Sequence, residues 1–274
     1  MKNIYHIFVF LFAMGCSRPA PKHWVAIGDS ITYLNDHLDE TDNRVTKGYL
    51  SRVEDYLPNF SVTNKGYNGW TVIKIAERFD RLEVPKADVY TIFLGTNDWW
   101  AGNSLGSMED YQNASGNATV MGAYRHIIDK VRSLNPDAAI VLITPMQRVD
   151  FVYVNNYKNN AYGSYKSKKG QHLEAFAEGI KSIGMVEGFK TIDLYHHPAL
   201  QHENLVHFKR LKNPETGTYK DHLYPDFIGL SFDPEMDIYP YPKEAIDMTY
   251  DGLHPSDQGN EVIAKALIKV FSQL

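Results

Sequence analysis

Cysteine is almost missing from this sequence: among 274 residues there is one, Cys16. That excludes an intrachain disulfide and any thiolate-rich zinc or iron–sulfur site. Basic charge is also scarce, with 28 Lys+Arg against 33 Asp+Glu and a net charge of −5. No basic field exists to grip a phosphate backbone, so nucleic acid is excluded as an expected partner. Long apolar runs are lacking too. The apolar run, Ile4 to Met14, is shorter than the about 20 residues a spanning helix needs. Internal repeats and low-complexity tracts are absent. What remains, 43% hydrophobic and 22% charged residues, is enough to bury a full core.

From Trp24 onward, short apolar runs alternate with segments of helical period, the pattern of a parallel sheet wrapped by helices. Expected strands are Trp24–Gly28, Phe60–Asn64, Val89–Leu94, Ala139–Thr144 and Thr191–Leu194. Helical stripes run through Val45, Tyr49, Val53 and Tyr56, then through Val120, Tyr124, Ile127, Val131 and Leu134. A third, Leu173, Phe176, Ile180 and Ile183, is expected to stop at Gly184. The last, from Val262 to Phe271, follows Ser256 and Asp257, either of which can cap it. Two stretches break the alternation: Ala101–Asn117, rich in Gly, Asn and Ser, and His196–Tyr250, read as an ordered insertion on the surface. The expected organisation is a leader and linker over 1–22, then one domain over 23–274 with an insertion at about 196–250.

Four segments carry candidate chemistry. Gly28-Asp29-Ser30-Ile31 ends the first strand, so Ser30 stands at the carboxyl edge of the sheet, where such folds bind ligands. A Ser/Thr turn or helix cap is the ordinary reading of such a serine. Near the other end, Asp251 precedes His254 by three residues, a spacing at which the carboxylate can accept the imidazole Nδ1–H and leave Nε2 free to take a proton. Gly95-Thr96-Asn97-Asp98 follows the third strand and puts the Asn97 amide at the same edge. Asn64 to Thr71 follows the second strand and offers the backbone N–H of Gly69.

Together and in this order, these segments resemble the SGNH hydrolases, the GDSL esterase/lipase superfamily, across almost the whole chain after the leader. The resemblance implies a three-layer α/β/α, flavodoxin-like fold with a five-stranded parallel sheet and no cofactor or metal. It implies Ser30 as nucleophile, His254 as base and Asp251 as the group that orients it. Gly69, Asn97 and the Ser30 N–H are the implied oxyanion donors, Gly69 being preferred to Gly66 because it directly precedes the helical stretch. Ile31 stands where the family name has leucine.

Two decoys are set aside. Gly102-Asn103-Ser104-Leu105-Gly106 matches a nucleophile elbow by letters, but no strand runs into it. His202 and His207 are five apart instead of the four that put zinc ligands on one helix face. Three of the four tryptophans, Trp70, Trp99 and Trp100, neighbour the oxyanion elements and are expected to line a substrate cleft. No long apolar lid segment accompanies them, which disfavours aggregated lipid as substrate.

The first residues, a lysine, the apolar run and Gly15-Cys16, have the architecture of an export signal. Cys16 resembles the cysteine of a bacterial lipoprotein lipobox, with Ala13 where leucine is usual. The expectation is therefore an exported, periplasmic or cell-surface esterase, lipid-anchored at Cys16, that removes acetyl groups from glycans or acts on another small ester. A lysophospholipase or broad acyl-ester hydrolase, and a non-catalytic glycan-binding lipoprotein, are the alternatives.

Overall fold

Apolar runs that alternate their side chains between two helical layers build the centre of the molecule. The computed structural model describes residues 20–274; Cys16, the expected leader and most of the expected linker lie outside the described residues. The strands are β1 (Lys22–Gly28), β2 (Phe60–Gly66), β3 (Val89–Phe93), β4 (Ala139–Ile143), β5 (Phe151–Val152), β6 (Asn160–Ala161), β7 (Lys190–Ile192), β8 (Lys209–Lys212) and β9 (Tyr219–His222). The helices are α1 (Ser30–Tyr33), α2 (Tyr49–Tyr56), α3 (Val72–Arg78), α4 (Thr96–Ala101), α5 (Met108–Gln112), α6 (Val120–Leu134), α7 (Leu173–Glu187), α8 (His202–Leu205) and α9 (Asp257–Phe271). Five strands form one parallel sheet in the order β2-β1-β3-β4-β7, the flavodoxin-like order.

Successive residues of a strand face opposite layers. On β1, Val25 and Ile27 enter a core shared with α3, α6 and α7, while Trp24 and Ala26 enter a second core shared with α2 and α9. β3 divides in the same way, with Tyr90 and Ile92 on the first side and Val89 and Phe93 on the second. The three-layer α/β/α arrangement is therefore the expected one. Because β2 lies to one side of β1 and β3 to the other, the connections leaving β1 and β3 diverge and open a crevice at their carboxyl ends.

Several boundaries differ from the sequence reading. β1 begins at Lys22 rather than Trp24, pairing from its first residue with Phe60. Val45 precedes its helix, which starts at Tyr49 after Gly48. Gly184 does not stop α7: the helix continues to Glu187 and Gly188 caps it. Inside the helix Gly184 serves packing, since a Cβ there would sit 2.0 Å from Thr191 Oγ1 on β7. Ser256, not Asp257, caps α9, its hydroxyl accepting from the Gln258 and Gly259 N–H groups. The 196–250 stretch is ordered: it holds α8, the β8–β9 hairpin and an apolar cluster of Leu205, Val206, Leu211, Phe227, Tyr241 and Ala245, joined by Val149 and Val152.

Burial decides which substitutions matter. Leu142, fully buried on β4, should lose about 2–5 kcal/mol of stability on change to Ala. Met185 on α7 is 76% exposed, and Met185→Ala should stay within about 0.5 kcal/mol of the parent. Urea unfolding of the two variants checks the layer assignment; equal losses would contradict it.

Candidate active site

The first βα turn delivers Ser30. Asp29 caps α1, its Oδ1 accepting the Ile31 N–H at 3.0 Å, so Ser30 begins the helix at the carboxyl end of β1. An N–H at that position has no partner within its own helix. Burial pushes the Asp29 carboxyl up to about 6, against the opposing pull of the Ile31 N–H and His254.

The turn before α9 delivers Asp251 and His254. Asp251 is fully buried, and its Oδ1 accepts the backbone N–H of Leu253 at 3.0 Å and of His254 at 2.8 Å. Its Oδ2 lies 2.7 Å from His254 Nδ1. An ionised carboxylate only accepts, so Nδ1 carries the hydrogen and Nε2 is left to accept. Ser30 Oγ is 2.8 Å from that Nε2. The imidazole is held between rings: Tyr250 stacks on it at 5.8 Å and Phe151 meets it edge-on at 5.4 Å. Gly252, at φ +91°, makes the turn fit, because a Cβ there would sit 2.2 Å from the Asp150 carbonyl oxygen.

That close approach exposes a brace absent from the sequence reading. The 149–152 segment donates from Val149 N–H to the Gly252 carbonyl at 3.0 Å and from Val152 N–H to the Asp251 carbonyl at 3.1 Å. It is held in turn by Tyr165 and, from the insertion, by Lys209 and Tyr241. Lys209, 2% exposed, pairs with Asp150 at 2.6 Å, and Tyr165 and Tyr241 donate to the Asp150 carboxylate and carbonyl. No local motif marks Asp150 or Lys209, which sits between Phe208 and Arg210 in a segment without a clean alternation.

Asn97 lies on α4, and its side-chain amide donates to the Trp70 carbonyl at 3.0 Å. An amide has two N–H donors, so one remains for a ligand. Gly69 occupies the turn closed by Trp70 N–H to Tyr67 O at 3.1 Å, has φ +73°, and its N–H has no partner among the described residues. Asp98 ties the two elements together: fully buried, it accepts the Val72 N–H at 2.7 Å and the Asn103 amide at 3.2 Å, and desolvation raises its carboxyl above the ordinary value. Asp98 was not singled out in the sequence.

A cleft of about 120 Å³ joins these groups; its wall includes Ser30, Gly69, Asn97, Trp100, Arg148 and His254. Of the three expected tryptophans, only Trp100 lines it. Trp99 corrects the expectation: it is fully buried in the core with its indole N–H donating to the Gln171 carbonyl at 3.0 Å. Trp70 is half-buried, stacked on Tyr67 with the Lys74 ammonium 4.3 Å from its ring centre, and is not on the cleft wall. Ser104 lies in the connection between α4 and α5, away from the cleft. His202 bonds Ser164 Oγ at 2.8 Å and stacks on Tyr224, so it is half-buried rather than a surface residue, while His207 is exposed.

Fold and site together define a doubly wound hydrolase scaffold with a serine, a histidine and a carboxylate at its switch point. The family model of the GDSL-like lipase/acylhydrolase family matches residues 26–262, and the chain belongs to that family, whose members are carboxylic ester hydrolases. A solved structure from Chitinophaga pinensis DSM 2588, described as a possible lipase, is 58% identical over 92% of this chain and 98% of its own, with a TM-score of 0.91. A protein from Lactobacillus plantarum shares the fold at 19% identity over 93% and 98% of the two chains, with a TM-score of 0.58. A member of the lipolytic G-D-S-L family from Veillonella parvula DSM 2008 does so at 16% identity over 92% and 99%, with a TM-score of 0.50. No curated protein matches the chain.

The raised carboxyl of Asp29 makes stability depend on pH. The folded chain binds its proton more tightly than the unfolded chain, with 3.8 as the ordinary value and about 6 in the fold. The protonated group's contribution is therefore complete below about pH 4 and lost as pH rises through about 6. Asp29→Asn keeps the capping oxygen and removes the charge. Its stability relative to the parent should rise between pH 4 and 7, by up to about 3 kcal/mol, in urea unfolding; a gap that does not change with pH would contradict this.

Proposed function

We propose that the chain hydrolyses acyl esters, acetyl esters of carbohydrates foremost, with Ser30 as nucleophile, His254 as base and Asp251 as the group that orients it. The observation that carries this reading is the chain of two hydrogen bonds from Ser30 through His254 to Asp251, at 2.8 and 2.7 Å, opening on the cleft. Ser30 Oγ attacks the ester carbonyl carbon while Nε2 takes its proton. The carbonyl oxygen becomes an oxyanion facing the N–H groups of Ser30 and Gly69 and the free N–H of Asn97. As the tetrahedral intermediate collapses, the C–O bond to the alcohol breaks and the imidazolium gives its proton to the leaving oxygen. Water, deprotonated by the same imidazole, then attacks the acyl-serine and releases the acid.

A carbohydrate substrate is supported by the cleft wall. Asn68, Asn159, Glu40 and Arg148 alternate there with Trp100 and Tyr153, a polar surface with aromatic edges of the kind sugars use. A broad acyl-ester activity is the second reading, favoured by the apolar corner formed by Phe151, Ala161 and Leu253. Export and lipidation at Cys16 are part of the proposal and rest on the leader sequence alone.

Asn97→Ala removes one oxyanion donor and should lower kcat on p-nitrophenyl acetate on the order of 10²–10³-fold while the fold persists. Full activity would misplace the oxyanion site. Acetate release from acetylated xylan, against fatty acid release from lysophospholipid, separates the two substrate readings.

A further inference from the structure

Among the described residues, Arg148 is a cleft residue with a buried side-chain donor that neither the proposed reaction nor the fold's own hydrogen bonding uses. It follows β4, is 2% exposed, and lines the same cleft as Ser30, Asn97 and His254. Its Nη2 donates to the Tyr162 carbonyl at 3.0 Å, but its Nε is buried without a partner among the described residues. The acidic groups around it are engaged elsewhere: Asp150 with Lys209 and Tyr165, and Asp251 with His254. Glu40, on the cleft wall, accepts the Tyr33 hydroxyl. Two indoles hold the guanidinium in place, its carbon 4.9 Å from the Trp99 ring centre and 4.7 Å from that of Trp100. The Lys168 ammonium lies 3.9 Å from the centre of Trp100, adding a second positive charge on that side. Desolvation lowers the guanidinium only to about 10, so it stays charged at neutral pH.

A buried cation with no counter-ion is unfavourable, and a planar guanidinium with unused donors gains most from a carboxylate, which it can bind through two parallel hydrogen bonds. We infer that Arg148 is the counter-charge for an anionic group of the substrate: the ester cleaved at Ser30 belongs to a molecule that bears a carboxylate beside the scissile bond. The inference deepens the esterase reading and rests on it. The carboxylate has two sources, the alcohol half, as in an acetylated uronic acid, or the acyl half, as in a succinyl ester.

The test compares kcat/KM within matched pairs. One pair is an acetylated methyl glucuronoside against the acetylated methyl glucoside; the other is p-nitrophenyl hemisuccinate against p-nitrophenyl butyrate. The charged member of at least one pair should be favoured by about tenfold or more, chiefly through KM, and the favoured pair names the half that carries the anion. Arg148→Gln should bring that ratio to about one, and Arg148→Lys should keep part of it. A purely structural arginine would lower both members alike and leave the ratio standing. A ratio near one in the parent, or one unchanged in Arg148→Gln, overturns the inference. Should the variant fail to fold, glucuronate and glucose are compared as inhibitors of the parent's p-nitrophenyl acetate hydrolysis. Where the sugar pair is the favoured one in the parent, glucuronate should inhibit at about tenfold lower concentration, and equal or absent inhibition there overturns the inference; where neither pair is favoured, the inference is overturned already. Absence of any turnover of p-nitrophenyl acetate is the separate result that defeats the esterase reading itself.

Discussion

The hydrogen bond between the Ser30 hydroxyl and His254 Nε2 joins groups 224 positions apart in the chain, and much of the architecture is spent on holding its two ends. One end is fixed by the sheet. β1 lies inside it, paired with β2 on one side and β3 on the other, and Asp29 turns the chain into α1 so that the serine projects at the switch point. The other end belongs to a loop, and a loop alone would be a loose support for an imidazole. Three hydrogen bonds to the Asp251 carboxylate, two rings against the histidine and the 149–152 segment give it the rigidity it lacks. Geometry held at this precision is what makes proton transfer between side chains effective.

The same 149–152 segment is where the insertion and the site meet. Lys209 and Tyr241 reach from the insertion to Asp150, and the neighbouring residues Arg148, Phe151 and Tyr153 form a wall of the cleft. Breaking a buried ion pair by removing one partner leaves an uncompensated charge, so the Lys209–Asp150 contact fastens the cleft wall and the histidine turn at once. In physical terms, the insertion is a structural support for the cleft wall as well as an outer layer of the molecule.

Strand positions and the four chemistry-bearing segments were readable in the sequence because each is local: an apolar run, a glycine turn, a carboxylate three residues before a histidine. Trp100 was read correctly, but Trp99 was misread because adjacency along a helix is not adjacency in space. On α4, Trp100 stands three residues after Asn97 and shares its face, whereas Trp99, two residues on, points into the core. Gly184 was misread for a related reason: a glycine in a helix can serve the approach of a strand rather than end the helix. Asp98, Asp150, Lys209 and Arg148 carry no signature at all, since what gives each its part is a partner supplied by tertiary folding: Val72, Lys209, Asp150 and the paired indoles.

The most direct measurement is covalent capture. Treating the protein with a fluorophosphonate and mapping the adduct by peptide mass spectrometry asks which hydroxyl the imidazole activates. The predicted result is a single adduct on Ser30 that disappears in Ser30→Ala and forms far more slowly in His254→Ala. No adduct on the parent protein, or one on Ser104 or another serine, would contradict a Ser30–His254 nucleophile.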